Sequence, residues 1–373
     1  MKFTLSFLFI MLLFCTGTDA QFMPKGHYLE GSFHYGAIFK HSPRIVIPVN
    51  QLPPILGAEI SWEYQTYGKK EWHQALKYPR VGAVLSFQDF RDPRLGWGVG
   101  LMPFINLIIF KKGIFDVFWR MSMGLSYVSK TWDGYTNPEN TIIGSNLNNN
   151  TAFRLGFGIQ AHKNFELRPS FSFTHYSNAA SQFPNLGINV YSFHLGILYK
   201  NNVIKRADFI HKDSLSPRLR KVRFSFHSGL GIKEIGRTYR GPKYPVLVNS
   251  MDAGLFLTRY NMLKIGLTHE YNTSDYIFFT HSGANNQKEA TTTANRFLFY
   301  VEDELFLGRV SITAQLGYYF TKAPVPLPFI RLGLRYYPLN PAKYRFAPYL
   351  GARVKAHGVT AEYFDMYIGF AIR

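Results

Sequence analysis

A strict alternation of side-chain types constrains this chain more than any other feature of its sequence. From Asp116 to Tyr127, large apolar residues occupy every second position, and mostly small or polar residues lie between them. A period of two indicates a β-strand, because successive side chains of a strand point to opposite faces. The same pattern recurs in segments that begin at Phe153, Val222 and Ile330. Large residues on one face and Arg, Ser, His or Gly on the other suit a lipid-facing wall around a polar lumen.

A soluble β-sandwich would show the same alternation, so two classes of protein compete. The segments favour the membrane protein, because they are long and rich in aromatic residues near their ends, as the interfacial girdles of membrane barrels are. Charged residues make up 17% of the chain, below the roughly 25% of an average soluble domain. We therefore predict an all-β fold, a transmembrane antiparallel β-barrel.

About sixteen such segments follow one another, an even number that fits a barrel with both termini in the periplasm. The long polar stretches 130–150 and 274–292 then fall on the outer side. A basic segment at 201–221 separates two sets of about eight strands, so either one sixteen-strand barrel or two eight-strand barrels in series would fit. The predicted strands begin near residues 27, 56, 79, 95, 115, 151, 165, 188, 220, 249, 262, 293, 309, 328, 344 and 359.

The first 20 residues predict a secretory signal peptide. Lys2 precedes an apolar stretch from Phe3 to Phe14, and small side chains precede a cleavage site after Ala20. The single cysteine, Cys15, would leave with this segment. We therefore expect a disulfide-free protein of the bacterial outer membrane. Its predicted parts are the signal peptide (1–20), a first barrel unit (21–200), a basic linker (201–221) and a second barrel unit of unknown role (222–373).

One strand carries residues suited to nucleophilic catalysis. His175 and Ser177 are two residues apart, so both side chains point to one face, where the imidazole can take a proton from the hydroxyl. Phe171 and Phe173 share that face, so a lipid-facing wall would turn the pair towards the membrane. Asn189 has the same orientation on the next strand. The strand count places the pair at the outer end, and a pair open sideways to the outer leaflet implies a lipid substrate.

The run His175-Tyr-Ser177-Asn178, followed by Pro-Asn-x-Gly at 184–187, resembles the signature of the outer-membrane lipid A 3-O-deacylases, the PagL family. The resemblance covers the unit 21–200. It implies an eight-stranded barrel that hydrolyses an ester-linked acyl chain of lipid A, or lipopolysaccharide, in the outer leaflet. It also implies that His175 is the general base, that Ser177 is the nucleophile and that Asn178 contributes to the oxyanion hole.

The third catalytic position departs from the family, which has a glutamate where this chain has Asn189. An amide oxygen can orient the histidine ring but cannot balance an imidazolium charge. The comparable Asp-to-Asn change in a serine protease costs about 10⁴ in turnover, mainly because the histidine adopts the wrong tautomer. The chain could therefore be a slower or a lapsed hydrolase. Glu166 is rejected as a substitute, because nine residues of strand place it roughly 30 Å from His175.

The other motifs are weaker. The sequence lacks the usual hydrolase elbow, phosphate-binding loop and zinc motif, and we expect neither a metal nor a cofactor. The net charge of +19 would suit nucleic acid, but no such binding motif occurs. Phosphates of lipid A are the expected partner, with Lys111, Lys112, Lys130 and Arg237 as candidate contacts.

The second half contains a faint echo of the motif at Leu267–Asn272, where Tyr271 replaces the serine, and we interpret it as structural. The alternative to an esterase is a non-catalytic barrel, a porin or surface-structure protein, in which the motif is a remnant. A phospholipase would also fit the same residues.

Overall fold

The fold is described from a computed structural model, which covers residues 23–211, 222–235, 239–258, 260–281, 287–321, 328–341, 344–358 and 360–373. Within these ranges, sixteen antiparallel strands form two closed barrels of eight strands each. The predicted all-β barrel fold is confirmed, and of the two arrangements that the sequence allowed, the chain adopts two small barrels. The predicted signal peptide at 1–20 and the segment 212–221 lie outside the described residues.

The first barrel closes by pairing its first strand with its last, from Tyr28 opposite Lys200 to Ile38 opposite Val190. A short helix, α1 (Glu71–Ala75), lies in the connection between the second and third strands. The strands are β1 (His27–Ile38), β2 (Ile55–Gln65), β3 (Arg80–Asp89), β4 (Trp97–Lys112), β5 (Phe115–Val128), β6 (Leu147–His162), β7 (Phe165–Ser177) and β8 (Ile188–Lys200).

The second barrel closes between its last and first strands, with Phe364 opposite Ile232. Two helices, α2 (Thr273–His281) and α3 (Gln287–Ala294), lie between its third and fourth strands. No helix in the described part of the chain is long and apolar enough to cross a membrane. The strands are β9 (Arg223–Glu234), β10 (Lys243–Phe256), β11 (Asn261–Asn272), β12 (Asn295–Leu307), β13 (Val310–Tyr319), β14 (Phe329–Tyr336), β15 (Phe346–His357) and β16 (Thr360–Ile372).

Two predicted strand starts were wrong by several residues. The strand expected near 151 begins at Leu147, because residues 147–150 pair with β5 and alternate like strand residues. The Asn149 side chain also donates to the Gly124 carbonyl of β5 at 3.2 Å. The strand expected near 249 begins at Lys243. It tolerates Pro245 because proline is accepted close to the start of a strand.

The two faces of each strand are chemically opposite. On β14, Leu332 and Leu334 are exposed on the outer wall, whereas Arg331 and Arg335 are buried in the lumen. Side chains fill both lumens, as expected for eight strands. In the first barrel, the Arg168 guanidinium pairs with Glu30 at 2.8 Å and with Glu63 at 2.6 Å. In the second, the Arg335 guanidinium pairs with Glu302 at 2.6 Å and with Glu304 at 2.9 Å. One wide sixteen-strand channel is therefore not formed.

Three long connections of the first barrel, 39–54, 129–146 and 178–187, lie at the end where β7 finishes, which we call the outer end. The connection 66–79, which contains α1, lies at the opposite end. The opposite end carries the two-residue turn between β4 and β5. The expectation that Lys111 and Lys112 line the outer rim was wrong, because both end β4 beside that turn. Lys130 does lie at the outer end, and Arg237 is outside the described residues.

Candidate active site

The strand register brings the predicted site residues together. Between β7 and β8, His175 lies opposite Asn189. Between β6 and β7, Thr151 lies opposite His175, and Asn149 lies opposite Ser177. Directly paired residues of antiparallel strands share one face. The outward polar patch therefore consists of Asn149, Thr151, His175, Ser177 and Asn189.

This patch interrupts an apolar wall. The next outward residues towards the middle of the barrel are aromatic: Phe173 on β7 is 38% exposed and Tyr191 on β8 is 43% exposed. Ser177 itself is only 8% exposed. The patch thus lies where the lipid-facing surface of the first barrel meets its outer connections.

Asn189 fixes the orientation of the histidine ring. The Nδ1 atom of His175 lies 2.5 Å from the Oδ1 atom of Asn189. An amide oxygen only accepts hydrogen bonds, so Nδ1 carries the proton in this pair. The lone pair of Nε2 then remains available as a base. A carboxylate at this position would select the same tautomer, but it would add the negative charge that Asn189 lacks.

Ser177 occupies the same face as His175, two residues along β7. Neighbouring side chains on one face are separated by about 6.7 Å of strand rise, so the imidazole and the hydroxyl must lean towards each other to meet. Among the described residues, the Ser177 hydroxyl makes no hydrogen bond to His175. Catalytic hydrogen bonds often tighten only when substrate is bound. His175 and Ser177 therefore share one face of β7, but among the described residues no hydrogen bond joins them.

Asn178 has a structural task in the connection that follows β7. Its side-chain Nδ2 donates to the Ser145 hydroxyl at 2.8 Å and to the Gln182 carbonyl at 2.7 Å. Its backbone N–H donates to the Oδ1 atom of Asn185 at 2.9 Å. These donors would have to leave their partners to bind an oxyanion, so a role of Asn178 in an oxyanion hole stays a prediction.

Gly187 is required by both backbone and space. Its φ of +84° is a left-handed conformation that favours glycine, and a Cβ atom there would lie 2.6 Å from the His175 Cε1 atom. The Gly187 N–H donates to the Ile142 carbonyl at 3.0 Å. Beside it, the Nε2 atom of His41 lies 2.8 Å from the Leu186 carbonyl. The connection thus fits closely over the histidine ring.

Sequence reasoning missed three residues of this region. Thr151 donates to the Oδ1 atom of Asn149 at 2.8 Å and so orders the side of the patch next to Ser177. The alternation of β6, extended back from Phe153 by two and four residues, would have placed Thr151 and Asn149 on the outward face. His41 gave no local signal, because it reaches the site from the connection after β1.

One group of side chains in the first barrel has the composition of a metal site. Ligand atoms of His34, Glu59 and His194 lie within 4.8 Å of one another in the lumen. The Arg154 guanidinium already donates to Glu59, which disfavours a second cation there. Glu166 also lies in the lumen, where it pairs with Lys200 at 2.8 Å rather than facing the patch.

Two family models match the chain, one in each barrel. Residues 56–197 match the family model of lipid A 3-O-deacylase (PagL), and residues 222–373 match the model of the acyloxyacyl hydrolase C-terminal domain. No curated protein matches the sequence.

Several solved structures are similar to parts of the chain. The outer membrane enzyme PagL is 18% identical over 45% of this chain and 97% of its own, with a TM-score of 0.33. Neisserial surface protein A is 8% identical over 48% and 98%, with a TM-score of 0.34. Ail of Yersinia pestis is 13% identical over 47% and 99%, with a TM-score of 0.26. The two family matches assign one model to each barrel: the first barrel matches the lipid A 3-O-deacylase (PagL) family model, and the second matches the acyloxyacyl hydrolase C-terminal domain model.

Proposed function

We propose that this protein is an outer-membrane serine esterase that removes an ester-linked acyl chain from lipid A. The observation that carries the proposal is the placement of His175 and Ser177 on the lipid-facing wall, with the histidine held through Nδ1 by Asn189. The family match of the first barrel supports the substrate class.

The chemistry needs two acyl transfers. Ser177 Oγ attacks the ester carbonyl while His175 Nε2 takes its proton, and the imidazolium then returns a proton to the departing sugar oxygen. A water molecule, deprotonated by the same nitrogen, next attacks the acyl-enzyme. This step releases the fatty acid and restores the Ser177 hydroxyl. Donors from the connection 178–187 would stabilise the oxyanion of each step.

The position of the patch suggests how a lipid would bind. An acyl chain can lie along the apolar wall beside Phe173 and Tyr191, while the sugar and its phosphates stay at the outer end. Lys130 is placed at that end to meet a phosphate. Such a contact is exposed, so salt would weaken it. We expect salt to raise KM more than it lowers kcat.

The neutral Asn189 limits the rate in this mechanism. It selects the correct tautomer, but the imidazolium that forms during each attack has no countercharge. We therefore expect a slow hydrolase rather than an inactive one.

The test is acyl loss measured by mass spectrometry. Refolded full-length protein in detergent is incubated with lipid A and, separately, with a phospholipid. Ser177→Ala, a nearly isosteric change that removes the nucleophile, is tested beside it. Loss of one acyl chain with the wild type and none with Ser177→Ala is the expected result. If the wild type leaves lipid A and phospholipids intact, the non-catalytic barrel is favoured. If only phospholipids are cleaved, the protein is a phospholipase.

A further inference from the structure

The outer connection between β9 and β10 of the second barrel contacts the active-site connection of the first. Glu234, the last residue of β9, is 0% exposed. Its Oε2 atom accepts the backbone N–H of Phe183 at 2.8 Å, and its Oε1 atom accepts the backbone N–H of Gly241 at 2.5 Å. A single buried carboxylate thus joins the two barrels.

The same connection makes a second contact with the first barrel. The Arg240 guanidinium donates to the Trp132 carbonyl at 3.0 Å and pairs with Asp133 at 3.2 Å. The ring of Tyr239 meets that of Trp132 edge-on, with centroids 4.9 Å apart. These groups are more exposed than Glu234, so we expect them to contribute less.

The two contacted segments of the first barrel form one cap over the site. Trp132 N–H donates to the Ile143 carbonyl at 2.8 Å, and Ile143 forms an isolated β-bridge with Asn185. Gln182 donates from its side chain to the Gly144 carbonyl at 2.7 Å. The second barrel therefore binds the cap at two points.

A short path leads from Glu234 to the nucleophile. Glu234 binds Phe183, the preceding Gln182 carbonyl accepts the Asn178 side chain at 2.7 Å, and Asn178 follows Ser177 in the chain. Removing the carboxylate would leave the Phe183 N–H without its acceptor. The cost of an unpaired buried donor would favour movement of the connection.

We propose that the second barrel is a positioning module for the active site of the first, with Glu234 as its positioning residue. Glu234 holds the 178–187 connection, and with it Asn178 and Gly187, in the arrangement that His175 and Ser177 require. The inference rests on the proposed esterase function. Glu234 is connected to Ser177 indirectly, through Phe183, Gln182 and Asn178. Its loss is therefore expected to lower kcat while KM stays nearly constant.

The kinetic test compares full-length Glu234→Ala and Glu234→Gln. A displacement of about 1 Å can cost up to 10²-fold in rate, so we expect Glu234→Ala to lower kcat for lipid A deacylation by about 10- to 100-fold. Glu234→Gln keeps one acceptor oxygen and should restore much of the rate. The control is Glu289→Ala, an exposed carboxylate on α3, which should leave kcat unchanged. Equal kcat values for wild type and Glu234→Ala would overturn the proposal.

A second measurement separates this inference from the esterase proposal. Spin labels are attached in the full chain at Ser181→Cys and Pro242→Cys, one on each side of the contact, and their separation is measured by electron paramagnetic resonance. We expect a narrow distance distribution that broadens with Glu234→Ala. A narrow distribution in an inactive wild type would remove the esterase function but keep the positioning contact. A distribution that Glu234→Ala leaves narrow would overturn the positioning role, whether or not the protein is active.

Discussion

The two barrels carry the same kind of pair on different strands: β7 and β8, the last two of the first barrel, and β11 and β12, the third and fourth of the second. In the first, the Nδ1 atom of His175 is bound by Asn189 at 2.5 Å. In the second, the Nε2 atom of His269 lies 3.0 Å from the Oδ1 atom of Asn295. The ring of His269 also lies against Phe297, with centroids 4.9 Å apart. We interpret the second pair as structural, so we do not take a histidine–asparagine pair on a barrel wall as sufficient evidence for a catalytic site.

What differs is the residue two positions further along and the nitrogen that is left free. Ser177 follows His175, whereas Tyr271 follows His269. Asn189 leaves Nε2 free at the tip of the ring, where it can reach a hydroxyl, but Asn295 occupies Nε2 in the second barrel. The comparison suggests that the serine and the ring orientation together distinguish a site from a structural contact.

The largest expected difference between the barrels is the response to loss of the histidine. His175→Ala removes the general base and should lower the deacylation rate by at least about 10⁴-fold, as in other hydrolases. His269→Ala should leave the rate unchanged, because its ring is placed against Phe297. Initial rates of acyl release from lipid A measure both. A comparable loss from His269→Ala would contradict the division of roles.

Loss of a lumen arginine should destabilise each barrel separately. Arg168→Ala leaves Glu30 and Glu63 with Arg120 as their shared partner, and Arg335→Ala leaves Glu302 and Glu304 with Lys264. Because a shared cation remains in each lumen, we expect each loss in free energy of unfolding to be smaller than the about 3–5 kcal/mol that breaking a buried pair completely costs.

Tryptophan fluorescence can show which barrel each of the two arginine substitutions destabilises. All 5 tryptophans of the chain lie in the first half, so fluorescence during denaturant unfolding follows the first barrel, whereas circular dichroism follows both. We expect Arg168→Ala to shift the fluorescence transition and Arg335→Ala to shift only the dichroism. Both variants also carry Trp132→Phe, because Trp132 packs against Tyr239 of the second barrel and would report the unfolding of that barrel. A fluorescence shift with Arg335→Ala would then show that the barrels unfold together.

A smaller effect is expected at Gly187. Gly187→Ala places a methyl group against the His175 ring and should lower kcat by about 10- to 100-fold, together with a backbone cost of about 1–2 kcal/mol. Gly358 of the second barrel is the matched control, because its φ is +60° and no atom lies within 4 Å of an added Cβ. Gly358→Ala should carry the backbone cost without the loss of kcat. Equal kcat values for the two variants would exclude a steric role for Gly187.

The smallest expected effect is a gain. Asn189→Glu supplies the missing countercharge, and a charge-assisted hydrogen bond is worth about 1–1.5 kcal/mol more than a neutral one, so kcat should rise about 10-fold. Asn295→Glu in the second barrel should give no gain. Activity that appears only in Asn189→Glu would identify the wild type as a lapsed enzyme, and a decrease would mean that the amide itself is required.

Much of this architecture could be predicted from the sequence, because alternation is a local signal. The pattern from Asp116 to Tyr127 identified β5, and similar patterns placed most strand starts within three residues. The asparagines before Thr151 were misread, because asparagine favours loops and only its bonds across to β5 stabilise it in a strand. The expected outer position of Lys111 and Lys112 was wrong, because β4 runs away from the outer end and both lysines occupy its last two positions.

The closure of each barrel and the contacts between the barrels could not be predicted from local sequence patterns. Whether β8 pairs with β1 or continues into β9 depends on partners distant in the chain, and both arrangements satisfy the same alternation. The site was partly predictable, since His175, Ser177 and Asn189 share a face by strand period alone. The His41 and Glu234 contacts come from connections that carry no periodic signal, so only the folded structure reveals them.

We infer that Ser177 is an activated nucleophile and that the second barrel has no equivalent nucleophile among its described residues. An alkyl fluorophosphonate, which reacts with activated hydroxyl groups, tests it in the refolded full-length protein, with peptide mass spectrometry to locate the adduct. We predict one phosphonate per chain on Ser177 and none when His175→Ala is labelled. An adduct on Tyr271 or another hydroxyl, or acyl release by a protein in which Ser177 stays unlabelled, would contradict the account.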